Sequence, residues 1–276
     1  MYFFERITKF DRRIIFLVIG LSVILPLLFR VDMPVDVTQE VKNVYDRIDE
    51  LPEGSIIVLP CEYAPDTMAE LEPMLFAVLR HCFRKNIRVI GCGFFVTGVT
   101  LVEQELRQIA KEEGKVYGKD YIFLGYRPYP AVVIMSMGQD FRQSFPEDYY
   151  GTPLDSLPMM KNVKNYKDTK LVLTINATSG VDYWIIYGHE RYGFPLAIGV
   201  TAVMAADYYS YLNSGQIVGI IGGLKGAAEY EKLIGQGDLA TMGMNIQSFV
   251  HLVIVLFIVI GNVGYLMTRK KRKGLE

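Results

Sequence analysis

The sequence predicts an α/β domain, a parallel sheet with helices over both faces, set between two apolar helices of membrane-spanning length. Three observations carry this. Short β-rich apolar runs alternate with helix-period stretches of about 10–20 residues. Hydrophobic residues make up 51% of the 276-residue chain, and mean hydropathy is +0.21. That excess gathers near the two ends rather than spreading evenly.

The first apolar run is "IIFLVIGLSVILPLLF", Ile14 to Phe29, uncharged and flanked by Arg12, Arg13 and Arg30. A span needs about 20 apolar residues, and flanking arginines extend a short one by snorkelling. The following "FRVDMPVDV" has no small-x-small pattern, so an uncleaved anchor is expected over a signal peptide. After a polar connector, "VTQEVKNVYDRIDEL" places Val37, Val41, Val44, Ile48 and Leu51 at helical spacing.

Strands and helices then alternate. "SIIVLP" is a buried parallel strand by composition. "TMAELEPMLFAVLRHCFRKN" is a helix with Leu71, Leu75, Val78 and Cys82 on one face, started either by a Thr67–Glu70 capping box or, reset by Pro73, at Glu72. "IRVIGCGFF" is a second strand. "TLVEQELRQIAKEEG" is a helix with a Thr100–Glu103 box and Gly114 as its stop. "DYIFLGY", "KLVLTIN" and "FPLAIGVT" are the third to fifth strands, with helices in "AVVIMSMGQDFRQSF" and "VDYWIIYGHERYG". The irregular "PEDYYGTPLDSLPMMKNVKNYKDT" reads as a lid or contact loop. The whole is a doubly wound, Rossmann-like parallel sheet, a resemblance of architecture that implies no function.

"QIVGIIGGLKGAAEYEKLIG" is read as one helix in which Gly219, Gly223 and Ala227 form a row. Glycine costs a helix about 1 kcal/mol relative to alanine, so close packing should offset it. The row is therefore an expected close contact, by packing inside the same domain or, as the sharper reading, as an interface between copies or with another membrane protein. Tyr208, Tyr209 and Tyr211 look exposed beside it. The second apolar run, "FVHLVIVLFIVIGNVGYLM", covers Phe249 to Met267, with Asn262 placed to bond across helices.

Charge sets the expected topology. Four basic residues lie in "MYFFERITKFDRR" and five in "TRKKRKGLE", which favours the cytoplasm for both ends. The expected organisation is a cytoplasmic N-terminus over 1–13, a transmembrane helix over 14–30, an extracytoplasmic domain over 31–247, a second transmembrane helix over 248–267 and a basic cytoplasmic tail over 268–276. The lipid bilayer is one partner. A net charge of −1 offers no electrostatic case for nucleic acid, and none is expected as a partner. Cys61, Cys82 and Cys92 have no CxxC spacing, and His81, His189 and His251 are scattered, so no metal site is expected. No motif asks for a cofactor. "GCGFFVTG" departs from dinucleotide and P-loop patterns and reads as turn glycines.

In open α/β sheets ligands bind beyond the carboxyl ends of the strands. Glu62 follows the first strand and has no local capping duty. Asn176, Thr178 and Ser179 follow the fourth and supply an amide, hydroxyls and N–H groups to cradle an anion. Arg127 follows the third and adds positive charge. These five are the expected ligand site, for a polar neutral or zwitterionic molecule. Cys61 sits among acidic neighbours, which disfavour a thiolate, and is read as structural. The expected function is a membrane-anchored scaffold or sensor whose domain self-assembles or binds a small polar ligand. The alternative is a membrane-tethered enzyme acting on a small or phosphorylated compound. No catalytic constellation is recognisable, which favours the first.

Overall fold

The structure is a computed structural model that describes residues 11–29 and 34–273, without the side chains of 267–273. Most of the basic N-terminal segment, Arg30 and residues 274–276 lie outside the described residues, and the basic tail up to Lys273 is described by its backbone alone. The chain divides into an α/β unit, Val35–Thr241, and a second unit that holds the two long apolar stretches. The α/β unit is slightly shorter than the expected 31–247.

Within the α/β unit, α2 (Gln39–Asp49) precedes β1 (Ile56–Glu62), and α3 (Met68–Arg84) leads to β2 (Arg88–Gly93). Then come α4 (Val99–Glu112), β3 (Tyr121–Tyr126), α5 (Pro130–Met137), α6 (Phe141–Ser144) and β4 (Leu171–Asn176). A short α7 (Gly180–Tyr183) widens into a π-helical turn over Trp184–His189, followed by α8 (Glu190–Tyr192) and β5 (Leu196–Val200). The unit closes with α9 (Ala202–Asn213), β6 (Ile220–Gly222) and α10 (Gly223–Leu233). The six strands form one parallel sheet in the order β3-β2-β1-β4-β5-β6.

Successive side chains on a strand point to opposite faces, and both faces are apolar here because both are covered. On one face Ile56, Val58, Ile90, Ile122, Val172 and Ile198 pack against Ile134, Phe141, Tyr166, Trp184 and Phe194. The other face carries α3, with α10, α2 and α4 packed around it. The buried positions of α2 are Val41, Val44 and Ile48, the stripe its spacing predicts.

Several expectations are corrected. The "QIVGIIGGLKGAAEYEKLIG" stretch is not one helix. It contains β6, a three-residue strand bounded by glycines, before α10 begins. Gly219, Gly223 and Ala227 are all buried within their own domain. A Cβ on Gly219 would lie 2.5 Å from the Glu40 carbonyl oxygen and 2.6 Å from Val44, and one on Gly223 would lie 2.6 Å from Ala202. The close packing is therefore internal and forms no row on a helix. Gly223 also has φ +58°, a left-handed turn from strand into helix that glycine adopts without strain.

Neither expected capping box forms. Thr67 makes no side-chain cap, and Glu70 instead accepts the Ala202 N–H at 2.8 Å, capping the start of α9. The fourth helix starts at Val99, before Thr100, and Glu103 accepts from the Tyr150 hydroxyl. The 146–169 stretch is a cover, not a loose lid: three 3₁₀ turns bury Leu154, Met159, Met160 and Tyr166 in the core. Tyr208 is buried, while Tyr209 is 42% exposed.

Both ends of the α/β unit are tied to α10. Glu229 accepts from the Thr38 N–H at 2.8 Å and from its hydroxyl at 2.6 Å, and Lys232 donates to the Val35 carbonyl. Glu231, 1% exposed, accepts from the N–H groups of Asp238, Ala240 and Thr241 and from the Thr241 hydroxyl. Arg80 pairs with Asp238 at 2.6 Å. Since α10 starts at the carboxyl end of β6, its last turn lies at the amino edge of the sheet. Both ends of the unit leave from that edge.

The second unit holds α1 (Arg12–Phe29) and most of α11 (Leu239–Lys273). The apolar windows, Arg12–Phe29 and Leu239–Leu266, have mean hydropathies of 2.2 and 2.4, and each is long and apolar enough to cross a membrane. The second helix starts at Leu239, ahead of the expected 248. Phe249 and Val253 line an apolar cleft with Val18, Leu21, Leu25 and Pro26. Asn262 donates to the Ile258 carbonyl of its own helix at 2.8 Å, not across helices.

Candidate functional site

Strand order makes the site. β1 and β4 are neighbours at the point where the order reverses, and their last residues, Glu62 and Asn176, are register partners. Both side chains fall on the face that carries Trp184, since they alternate with Cys61 and Ile175. Glu62 is 3% exposed and Asn176 fully buried. The Ala177 N–H donates to the Glu62 carbonyl at 2.9 Å and turns the chain over the strand ends.

The turn is built by its own side chains. Asn176 Oδ1 accepts from the Thr178 N–H at 2.7 Å and the Thr178 hydroxyl at 2.8 Å. Thr178 Oγ1 accepts the Gly180 N–H at 3.0 Å and lies 3.4 Å from Glu62 Oε2. A Cβ on Gly180 would meet Asn176 Nδ2 at 2.2 Å and Glu62 Oε2 at 2.4 Å, so only glycine lets the helix start this close. Ser179 is exposed and makes no side-chain cap. The expected anion cradle is thus filled by Asn176 and Thr178, with a carboxyl group beneath it.

What the turn leaves unbonded marks the site. Glu62 Oε1, Asn176 Nδ2 and Thr174 Oγ1 are buried and have no hydrogen-bond partner, and all three project to one face from adjoining strands. Burial raises the Glu62 carboxyl to about 7, only partly opposed by the neighbouring Asn176 and Thr178 side chains. The amide thus helps favour the charged form, although Nδ2 and Oε1 complete no hydrogen bond. At neutral pH this carboxyl is poised between donor and acceptor.

A second carboxyl serves the other face. Tyr63 continues beyond β1 and donates its hydroxyl to Glu105 on α4. Glu105 is 4% exposed, its Oε1 is unpartnered, and burial raises it to about 7. Sequence reasoning missed Glu105, although it shares the apolar stripe of Val102, Leu106 and Ile109. An acid on such a stripe is the readable signal.

The remaining expected residues sit elsewhere. Arg127 follows β3, which β2 separates from β1. Its guanidinium donates to the Ser144 and Tyr126 carbonyls at 3.0 Å each and lies over the Phe145 ring, so it braces α6 and brings no charge to the crevice. All three cysteines are unpaired and buried, and burial holds the Cys61 thiol well above its usual range. The glycines of "GCGFFVTG" serve close packing: a Cβ on Gly93 would lie 2.9 Å from the Cys61 carbonyl oxygen and one on Gly98 1.9 Å from that of Tyr63. His189 donates from Nδ1 to the Phe194 carbonyl at 2.7 Å, a contact beside β5's first residues. Among the described residues no His, Cys, Asp and Glu group has the spacing to hold a metal ion.

No protein family and no curated protein matches the chain. Among solved structures, a trehalose-6-phosphate synthase, OtsA, aligns with a TM-score of 0.27 and 10% identity, over 85% of this chain and 46% of that one. The chain spans about half the length of that protein, and a likeness at this level carries no argument about what the chain does.

Proposed function

We propose that the chain is a two-span membrane protein whose α/β domain is a sensor or scaffold receiving a small polar ligand at the carboxyl ends of β1 and β4. The observation that carries this reading is the cluster of buried, unbonded polar atoms on Glu62, Asn176 and Thr174 at the reversal of strand order. Buried polar groups left unpaired cost about 1–3 kcal/mol each, and a ligand that completes their bonds recovers that cost. Asn176 Nδ2 offers a donor, and the Glu62 carboxyl offers an acceptor or a donor according to its charge. With Thr178 between them they suit a hydroxyl- or amine-bearing molecule. The carboxyl disfavours an anion, so phosphorylated compounds fit less well. The pair is buried beneath the 177–180 turn. Exposed Val96, Tyr129, Val132 and Val203 follow β2, β3 and β5 at the same edge and give a second copy apolar area to pack on.

The test is the mass of the detergent-solubilised full chain under native conditions, with Glu62→Gln and Asn176→Ala beside it. A small molecule that co-purifies with the parent and is lost from both variants is the expected result. If the three proteins carry the same masses and nothing bound, the ligand reading is rejected.

The enzyme reading is favoured by one observation. A carboxyl with a pKa of about 7 is matched to proton transfer at neutral pH.

The two apolar helices are proposed to cross the bilayer, with the basic segments and both termini in the cytoplasm and the α/β domain outside. A cysteine placed at position 275 should stay unlabelled by an impermeant thiol reagent in intact cells. Ready labelling there reverses the orientation.

A further inference from the structure

The ligand site continues inward. Among the described residues six buried side-chain nitrogen and oxygen atoms have no hydrogen-bond partner, and four of them share one layer: Glu62 Oε1, Asn176 Nδ2, Thr174 Oγ1 and Trp184 Nε1. Glu62 is 3% exposed, and the other three residues are fully buried.

Their relative depth follows from strand and helix geometry. Thr174 precedes Asn176 by two residues on β4, so it shares that face and lies about 6.6 Å further in. Gly180 sits over the outer pair, where a Cβ would lie 2.4 Å from Glu62 Oε2. Trp184 comes four residues later, and its N–H donates to the Gly180 carbonyl. Four residues advance a helix by about 6 Å and return to the same side. Because β4 and β5 are parallel, the helix between them runs back along the sheet. Trp184 therefore stands over the level of Thr174, as Gly180 stands over that of Asn176. The indole stacks on Phe94, just after β2, with ring centroids 5.8 Å apart. Since β1 lies between β2 and β4, the ring crosses the layer above β1. The helix widens into its π-helical turn from Trp184 onward, a feature frequent at functional sites.

The four atoms suit one kind of partner. Trp184 Nε1 and Asn176 Nδ2 can only donate, a charged Glu62 can only accept, and the Thr174 hydroxyl does either. A carbonyl oxygen takes the two donors and leaves a charged Glu62 unbonded. An ammonium group satisfies Glu62 and leaves both donors unbonded. An O–H oxygen accepts and donates at once, and a buried water makes about three such bonds to groups otherwise unsatisfied. We infer that Glu62, Asn176, Thr174 and Trp184 together bind an O–H oxygen, that of a water molecule or of a ligand hydroxyl in its place, with the Trp184 indole as a contact residue of the site. Only the second source rests on the ligand reading above.

The experiment uses the full, isotope-labelled chain in detergent micelles and follows the indole N–H resonance, a single signal because the chain has one tryptophan. The expected result is a through-space cross-peak from the indole proton to water, or to the protons of a molecule that co-purifies, with native mass spectrometry identifying which is present. Thr174→Val keeps the shape and removes the hydroxyl, so the cross-peak should be lost and the indole resonance should move. Thr174→Ser should restore both, which a packing role for Thr174 would not explain. Two results overturn the inference: an indole proton with no cross-peak to water or to a bound molecule, and an indole resonance and cross-peak unchanged in Thr174→Val. A bound molecule that Glu62→Gln releases, found together with the first of these, leaves the ligand reading standing and removes this one. A water cross-peak in protein that carries nothing else supports this inference and rejects the ligand reading.

Discussion

Glu62→Gln should stabilise the α/β domain by about 3 kcal/mol at pH 8 and leave it nearly unchanged at pH 4. The carboxyl titrates near its ordinary 4.5 in the unfolded chain and at about 7 in the fold, because burial penalises its charge. Between those values the folded state holds a proton that the unfolded state has released. Stability therefore falls as pH rises from about 4.5 to about 7 and then levels off. A displacement of about 2.5 pH units corresponds to about 3 kcal/mol at 1.36 kcal/mol per unit, an order-of-magnitude figure. Glutamine keeps the size and cannot ionise, so it escapes the loss above pH 7. Glu105, also raised to about 7, contributes a second, similar slope that the variant keeps. The emission of Trp184, the chain's one tryptophan and a fully buried one, reports unfolding of this domain directly. If parent and variant show the same pH profile, Glu62 is not a buried ionising group.

Gly98→Ala should cost more than 3 kcal/mol and leave little folded protein at 37 °C, a larger loss than overpacking usually brings. The added Cβ would sit 1.9 Å from the Tyr63 carbonyl oxygen and 3.1 Å from its carbonyl carbon. Those are backbone atoms directly after β1, and they cannot swing aside as a side chain can. Moving them displaces Glu62 on one side and the Tyr63–Glu105 contact on the other. Gly114→Ala is the control: its Cβ meets nothing within 4 Å, and its φ of +66° costs only about 1–2 kcal/mol. Equal melting temperatures for the two variants would falsify the claim that the loop after β2 is wedged against the end of β1.

Which parts of this were readable beforehand follows from how locally each is encoded. Five strands are apolar runs of five to seven residues bounded by turn residues, and such runs announce themselves. β6 has three residues between glycines, so its pattern is shorter than any period that distinguishes strand from helix. The glycines around it then resembled a helix row, when Gly219, Gly222, Gly223 and Gly226 answer separate contacts with Glu40, Ala205, Ala202 and Ile221. That Glu62 and Asn176 end their strands was legible. That the two strands adjoin is a matter of strand order, which no local pattern states. Arg127 was misplaced because its partners, Ser144 and Phe145, lie in another helix and the turn after it. The capping boxes failed because Glu70 and Glu103 found distant partners in Ala202 and Tyr150.

The clip formed by α10 has a consequence for biosynthesis. Thr38 waits for Glu229, which lies 191 residues later in the chain. On a ribosome adding about 5–20 residues per second, that is a delay of roughly 10–40 seconds. Through that interval β1 to β5 can pair outward from the first strand, while α2 has no partner at its leading end. The last helix to be made before the second apolar stretch is therefore the one that locks the first. Synthesis ends the domain by fastening its beginning, and a nascent chain arrested before residue 229 should hold a formed sheet with its N-terminal helix still open to protease.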